Sequence, residues 1–292
     1  VNHRHQTEKT LNATPQRVFE ALADSAQLEV WFAEHAKVEA RLGGAFQFWG
    51  KATLGAPPEP DPSQKITAFE PNRVLEHGWR VLGQPSVVRY QLEPDSDASR
   101  TKLTLTHEVS GALPFRSTAH TLDDLWRMQL GNLSEHVRGR QGGVVLPDFS
   151  SREPTVRSSI EIAAAPAKVF RALLEPELMN RWLYASAKVD VAKGTYSYGW
   201  QYEVEGRQVS GGPTRIIELV ENERLVTDWP DWRGEPGKPP TRVTWLLEAL
   251  DGGTRTRVTV VHEGFEHAVD RSDYQQGWAG FLGKLAAVLA EV

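Results

Sequence analysis

Apolar and polar positions along this chain change period in the same order twice. A short alternating segment, His5–Leu11, is followed by Pro15 and then by Val18, Phe19 and Leu22 at helical spacing. Proline suits a first helical turn, where its missing N–H has no partner to lose, so a helix is expected to start there. A second short helix is expected to carry Leu28, Trp31 and Phe32. Six strand-like stretches come next: Ala36–Arg41, Ala45–Lys51, Gln64–Phe69, Arg73–Val81, Val87–Leu92 and Thr101–Val109. A long helix over Thr118–Arg138 closes the unit. The second pass begins at Arg157–Ile162, where Ile160 and Ile162 alternate with polar neighbours, and continues with Pro166, Val169, Phe170 and Leu173, then Met179, Trp182 and Leu183. Its strands are expected at Ala185–Val191, Thr195–Val204, Gln208–Val220, Arg224–Trp229, Arg242–Leu250 and Thr254–His262, and its helix at Ser272–Glu291. Turn signals such as Glu70-Pro71-Asn72 and Asp251-Gly252-Gly253 separate them.

Residue identities repeat along with the pattern. Pro15 and Pro166, like Trp31 and Trp182, stand 151 positions apart. His107-Glu108 echoes in His262-Glu263, and Trp126 with Leu130-Gly131-Asn132-Leu133 echoes in Trp278 with Leu282-Gly283-Lys284-Leu285. A period near 150 is too long for a solenoid repeat and suits a whole domain, so the chain reads as one domain duplicated. The expected organisation is a domain over 1–140, a linker over 141–154 and a second domain over 155–292. Val144, Val145, Leu146 and Phe149 make that linker apolar, so it is expected to pack. Strand, two helices, six meandering strands and a long helix give an α+β unit: one curved antiparallel sheet with a helix across its concave face and a natural cavity between.

Bulk composition narrows the function classes. At 292 residues, with 40% hydrophobic and 24% charged, the chain is ordinary for a soluble protein. It has no cysteine, which excludes disulfides and thiolate metal sites. The opening His3-Arg4-His5 lacks an apolar run, so no signal peptide and no membrane span are expected, and a cytoplasmic location is the default. The 33 basic and 38 acidic residues are spread over both halves, and neither half is basic, so nucleic acid is not an expected partner.

His107 and His262 are the most interesting ionisable pair. They end alternating strands in phase with Leu103 and Leu105, or with Val258 and Val260, and should face the cavity. There each would bind a ligand or act as a base, or else pair with a backbone carbonyl or a helix carboxylate. His262 and His267 are five apart, which separates them around a helix, and His3 with His5 lacks a third ligand. No metal and no cofactor is therefore expected, and no P-loop, nucleophile elbow or dinucleotide fingerprint occurs. Three tryptophans per copy correspond: Trp31, Trp79 and Trp126 with Trp182, Trp229 and Trp278. They are either plain core or the walls of a cavity for an apolar or aromatic ligand. Together with the two histidines they form the candidate pocket set, and no catalytic residue is assigned. Tyr196, Tyr198, Trp200 and Tyr202 alternate along one expected strand and would line the pocket or form an outer patch.

The proline-capped Val-Phe helix, Trp182, Gly194 before an aromatic strand, Glu218–Trp229, His262-Glu263-Gly264-Phe265 and Gly277-Trp278 with Leu282 and Leu285 together resemble the SRPBCC superfamily. Within it they are most similar to the branch named for the C-terminal domain of the activator of Hsp90 ATPase. The resemblance covers both copies and implies the helix-grip fold shared with START and Bet v 1 proteins. Copy one departs by its insertion Gly55-Ala56-Pro57-Pro58-Glu59-Pro60-Asp61-Pro62 and by Leu125 where a glycine usually precedes the last tryptophan. The expected activity is binding of a small hydrophobic molecule in one or both cavities. The resemblance also implies two other classes. One is a chaperone co-factor in stress response, without the activator's separate N-terminal domain and its Asn- and Trp-rich motif. The other is a polyketide cyclase-like enzyme using groups such as His107, Asp228 or His262.

Overall fold

The computed structural model describes residues 2–114, 117–204, 206–233 and 238–291. The chain divides into two compact units, Val1–Arg152 with His267–Asp273, and Glu153–Glu266 with Tyr274–Val292. Among the described residues no helix is long and apolar enough to cross a membrane.

The first unit runs β1 (Asn2–Leu11), α1 (Pro15–Ala23), α2 (Ser25–Trp31), β2 (His35–Val38), β3 (Phe46–Trp49), β4 (Ile66–Glu70), β5 (Val74–Val81), β6 (Gln84–Pro94), β7 (Thr101–Ser110) and α3 (Thr118–Val137). Thr14 caps α1 by accepting from the Arg17 N–H, and Asp24 caps α2 by accepting from that of Gln27. Strands order as β1-β7-β6-β5-β4, all antiparallel, while β2 and β3 form a separate ladder joined to the sheet through the Ala45–Lys65 bridge. Alternation along β7 sends Leu103, Leu105, His107 and Val109 inward, and α3 covers them with Leu122, Leu125, Trp126 and Leu133. The segment after α3 packs too. Phe149 is buried in this core with its N–H on the Lys51 carbonyl, and Asn132 exchanges two hydrogen bonds with the Val145 backbone, 2.9 and 3.0 Å.

The second unit repeats the plan: β8 (Thr155–Ile162), α4 (Pro166–Leu174), α5 (Pro176–Leu183), β9 (Lys188–Asp190), β10 (Thr195–Ser197), β11 (Trp200–Val204), β12 (Arg207–Gly211), β13 (Ile216–Val220), β14 (Arg224–Trp229), β15 (Thr241–Leu250), β16 (Arg255–Glu263) and α6 (Ala268–Glu291). Its sheet orders β13-β14-β15-β16-β8. Trp278, Leu282, Leu285 and Leu289 of α6 pack on it. Each unit is thus a curved antiparallel sheet gripping a long helix near its C-terminal end.

Two expected strands of this unit are each two strands. Thr195–Val204 breaks at Gly199, whose φ is 77° and where an added Cβ would lie 2.2 Å from the Ser186 carbonyl oxygen, so only glycine fits and the strand turns. Gln208–Val220 breaks after Gly211, where Gly212 takes a φ of 89° and Pro213 brings no N–H for a ladder. Consequently Tyr196 and Tyr198 are fully buried, Trp200 is half-buried and Tyr202 is exposed, so the four aromatics do not share one face.

Candidate functional site

Inside each unit the same four-residue hydrogen-bond chain recurs. In the first, the Trp126 indole N–H on α3 donates to His107 Nδ1 at 3.0 Å. An indole nitrogen only donates, so Nδ1 must carry the lone pair and Nε2 the proton. His107 Nε2 then donates to Ser86 Oγ at 2.9 Å, and Ser86 Oγ donates to the Trp79 carbonyl at 2.9 Å. In the second unit Trp278 donates to His262 Nδ1 at 3.1 Å, His262 Nε2 to Thr241 Oγ1 at 2.7 Å, and Thr241 to the Trp229 carbonyl at 3.1 Å. Antiparallel pairing sets both chains: Ser86 lies opposite Trp79 on β5, and Thr241 opposite Trp229 on β14.

Burial holds these histidines neutral. His107 and His262 have no exposed surface, and each is pushed down to about 3. For His107 the neighbouring His77, His5 and His3 add to the effect of burial. With both ring nitrogens engaged, neither imidazole has a lone pair or proton left to offer a substrate. The partners are a hydroxyl and an indole rather than the carbonyl or carboxylate expected from the sequence.

Rings complete the packing. Trp79 stacks on His107 with centroids 5.3 Å apart and planes at 14°, and Trp126 meets both edge-on. In the second unit Trp229, His262 and Trp278 contact one another at 5.3 to 6.0 Å. Trp31 and Trp182 stand apart from these trios. Each ties its helix to the preceding one, donating to the Ala21 carbonyl at 2.9 Å or the Ala172 carbonyl at 3.0 Å. Phe32 relays the contact to Trp126, and Trp245 relays it to Trp278. All eight candidate residues are at most 5% exposed.

Several members of the site escaped the sequence reading. Ser86 and Thr241 are polar residues on strands, yet each precedes its histidine by 21 positions, a shared spacing that marks them. Tyr274 accepts the Trp229 indole N–H at 2.8 Å and packs against His262. Tyr90 and Trp245 supply further rings. His77, also buried, stacks on Phe46 at 4.1 Å and is pushed down to about 4 by burial. Asp228 does not join His262. Its carboxylate accepts from the Thr214 and Arg215 N–H groups at 2.8 and 2.9 Å and from the Thr214 hydroxyl at 2.6 Å, which pins the strand edge.

Comparison with known proteins places these observations in a family. The model described as activator of Hsp90 ATPase homolog 1-like protein matches residues 12–138 and again 163–290. No curated protein matches the chain. Among solved structures, DynU16, a protein of the dynemicin biosynthetic locus, is 17% identical, aligned over 98% of both chains with a TM-score of 0.38. The Aha1 dimer of Colwellia psychrerythraea is 19% identical, covering 46% of this chain and 95% of its own, TM-score 0.35. PFC0360w, an HSP90 activator from Plasmodium falciparum, is 18% identical over 47% of this chain and 96% of its own, TM-score 0.37.

Proposed function

This chain belongs to the activator of Hsp90 ATPase homolog 1-like family, whose domain it carries twice, and from that premise we propose that it is a protein-interaction module docking on an Hsp90-type chaperone. The observation that carries this reading is the state of the two interiors. A carrier of small molecules needs room between helix and sheet, whereas here rings and closed hydrogen-bond chains occupy that region and all eight candidate residues are at most 5% exposed. A cyclase needs an accessible acid or base, and His107, His262 and Asp228 are each committed to internal partners. Activity through the outer surface is what such a packed interior leaves.

Tyr184 is the surface residue that best fits an anchor. It caps α5 in the left-handed region with a φ of 52°, is 74% exposed, and has the Lys284 ammonium 4.8 Å from its ring centroid. Its counterpart in the first repeat is Ala33, which is fully buried. A tyrosine ring held out at a strained backbone position offers an exposed aromatic surface, and aromatic residues are favoured anchors in interfaces.

The test is calorimetric titration of the full chain with the purified Hsp90-type chaperone of the same cell, with ATPase rate followed separately. Saturable binding that weakens several-fold in Tyr184→Ala, with the melting temperature kept, is the expected result. Absence of both binding and any ATPase change sinks the reading.

A further inference from the structure

The first unit carries an open cleft of about 440 Å³ that its proline-rich insertion helps to build. Phe48, Leu54, Trp79 and Leu82 give it an apolar lining, and Pro57 stands at its wall. Of the eight candidate residues, Trp79 is the one that reaches it. Its volume lies within the range of small-molecule sites.

Two features point to a ligand. The first is Gln64, 4% exposed, which lines the cleft. Its Oε1 accepts from the Phe48 N–H at 3.3 Å, leaving its Nε2 donors without a partner among the described residues. An amide of a nearly buried residue whose donors have no protein partner among the described residues is available to a ligand acceptor in the cleft that it lines. The second is Leu82. Leu82 and Gly83 form the two-residue turn between β5 and β6 with φ of 48° and 85°, a backbone that Asn-Gly favours and a leucine resists. The leucine there reaches across to the insertion, its Cδ2 3.0 Å from where a Cβ on Gly55 would stand. Turn stability is given up to place an apolar side chain on the cleft wall.

Charge selects among ligands. Among the described residues Glu59 and Asp61 line the cleft with one cation, Arg80, which pairs with Asp61 at 3.7 Å. That lining is net negative and disfavours an anion. We propose that this cleft is a binding site for a neutral aromatic compound bearing a carbonyl, the ring lying on Trp79, Phe48 and Leu82 and the carbonyl oxygen accepting from Gln64 Nε2. The site is separate from the proposed chaperone docking and does not depend on it.

The neutral naphthyl ketone prodan, whose emission shifts blue in apolar surroundings, is the probe, titrated with the full chain. Saturable binding at one site is expected. Gln64→Glu keeps the acceptor for the Phe48 N–H but removes the donor, and should weaken binding roughly fivefold or more, the worth of about one hydrogen bond. Leu82→Asn suits the turn better, so its melting temperature should hold or rise while prodan affinity falls by a similar factor. Leu42→Asn, at an exposed apolar residue outside the cleft, should bind as wild type. Failure of prodan to bind saturably, or wild-type affinity in either folded cleft variant, overturns the assignment.

Discussion

Trp126 on α3 donates its indole N–H to His107 Nδ1 on β7, and the bond fixes the tautomer of a histidine that has no exposed surface. The equivalent bond joins Trp278 to His262. In each unit it ties the long helix to the sheet by a buried polar contact. Ser86 or Thr241 then accepts a hydrogen bond from the imidazole Nε2–H, so each chain ends on a tryptophan carbonyl with every donor paired. A fully satisfied buried chain of this kind specifies how the helix sits, because a slipped helix leaves the imidazole unpaired.

Trp126→Phe keeps most of the ring and removes only the donor. His107 Nδ1 then stays buried without a partner, a loss of about 1–3 kcal/mol on top of the smaller ring. Urea unfolding should show the first unit destabilised by that amount, and Trp278→Phe should do the same to the second. Stability unchanged in both variants would mean that the bond contributes nothing to holding helix on sheet.

The histidines also set an acid limit on stability. His107 and His262 are pushed down to about 3 and His77 to about 4 when folded, against a reference near 6.5. The unfolded chain therefore binds more protons than the folded one between those values, and the stability these groups contribute is present above pH 6.5 and lost as pH falls toward 3. Each adds a slope of up to about 1.4 kcal/mol per pH unit in that window. Replacing His107 by Gln should flatten the fall in urea midpoint below pH 6.5 relative to wild type, whatever it does at pH 8. Imidazole resonances of His77, His107 or His262 that titrate near pH 6.5 in the folded protein would contradict the argument. A ligand-binding step at pH 6–7 governed by His262, the behaviour expected of a pocket histidine, has no titration to drive it.

Periodicity and duplication made the plan of each unit readable because helix and strand periods are local properties. The long helices, α1 with α4, and the five-stranded sheets follow from Val18, Phe19 and Leu22 or from Leu103, Leu105 and His107 without any knowledge of contacts. The inward direction of His107 was readable in the same way. Its partners were not, since Ser86 reaches it by cross-strand pairing and Trp126 by helix docking, and neither is encoded in nearby spacing. Nor did composition reveal whether the tryptophans wall a cavity or fill it, because that depends on how far the helix stands from the sheet. A cleft lies at the proline-rich insertion of copy one, and Trp79 of the candidate set is on its lining.

Gly199 and Gly194 separate backbone strain from steric exclusion. Both take a left-handed backbone, with φ of 77° and 68°, so either alanine substitution costs about 1–2 kcal/mol from conformation alone. At Gly194 an added Cβ would find its nearest atom, the Ile216 carbonyl oxygen, at an ordinary 3.9 Å. At Gly199 it would sit 2.2 Å from the Ser186 carbonyl oxygen and 2.6 Å from its carbon, backbone atoms that cannot swing away as a side chain can. The turn must open for the methyl to fit, and it is the turn that carries the chain from β10 to β11 beside buried Tyr198. Gly199→Ala should therefore lower the unfolding free energy of the second unit by clearly more than Gly194→Ala, and should expose Tyr198, read as increased tyrosine solvent perturbation in the native baseline. Equal losses in the two variants would show that the approach of Ser186 to Gly199 yields freely, and that glycine is required there only for its φ.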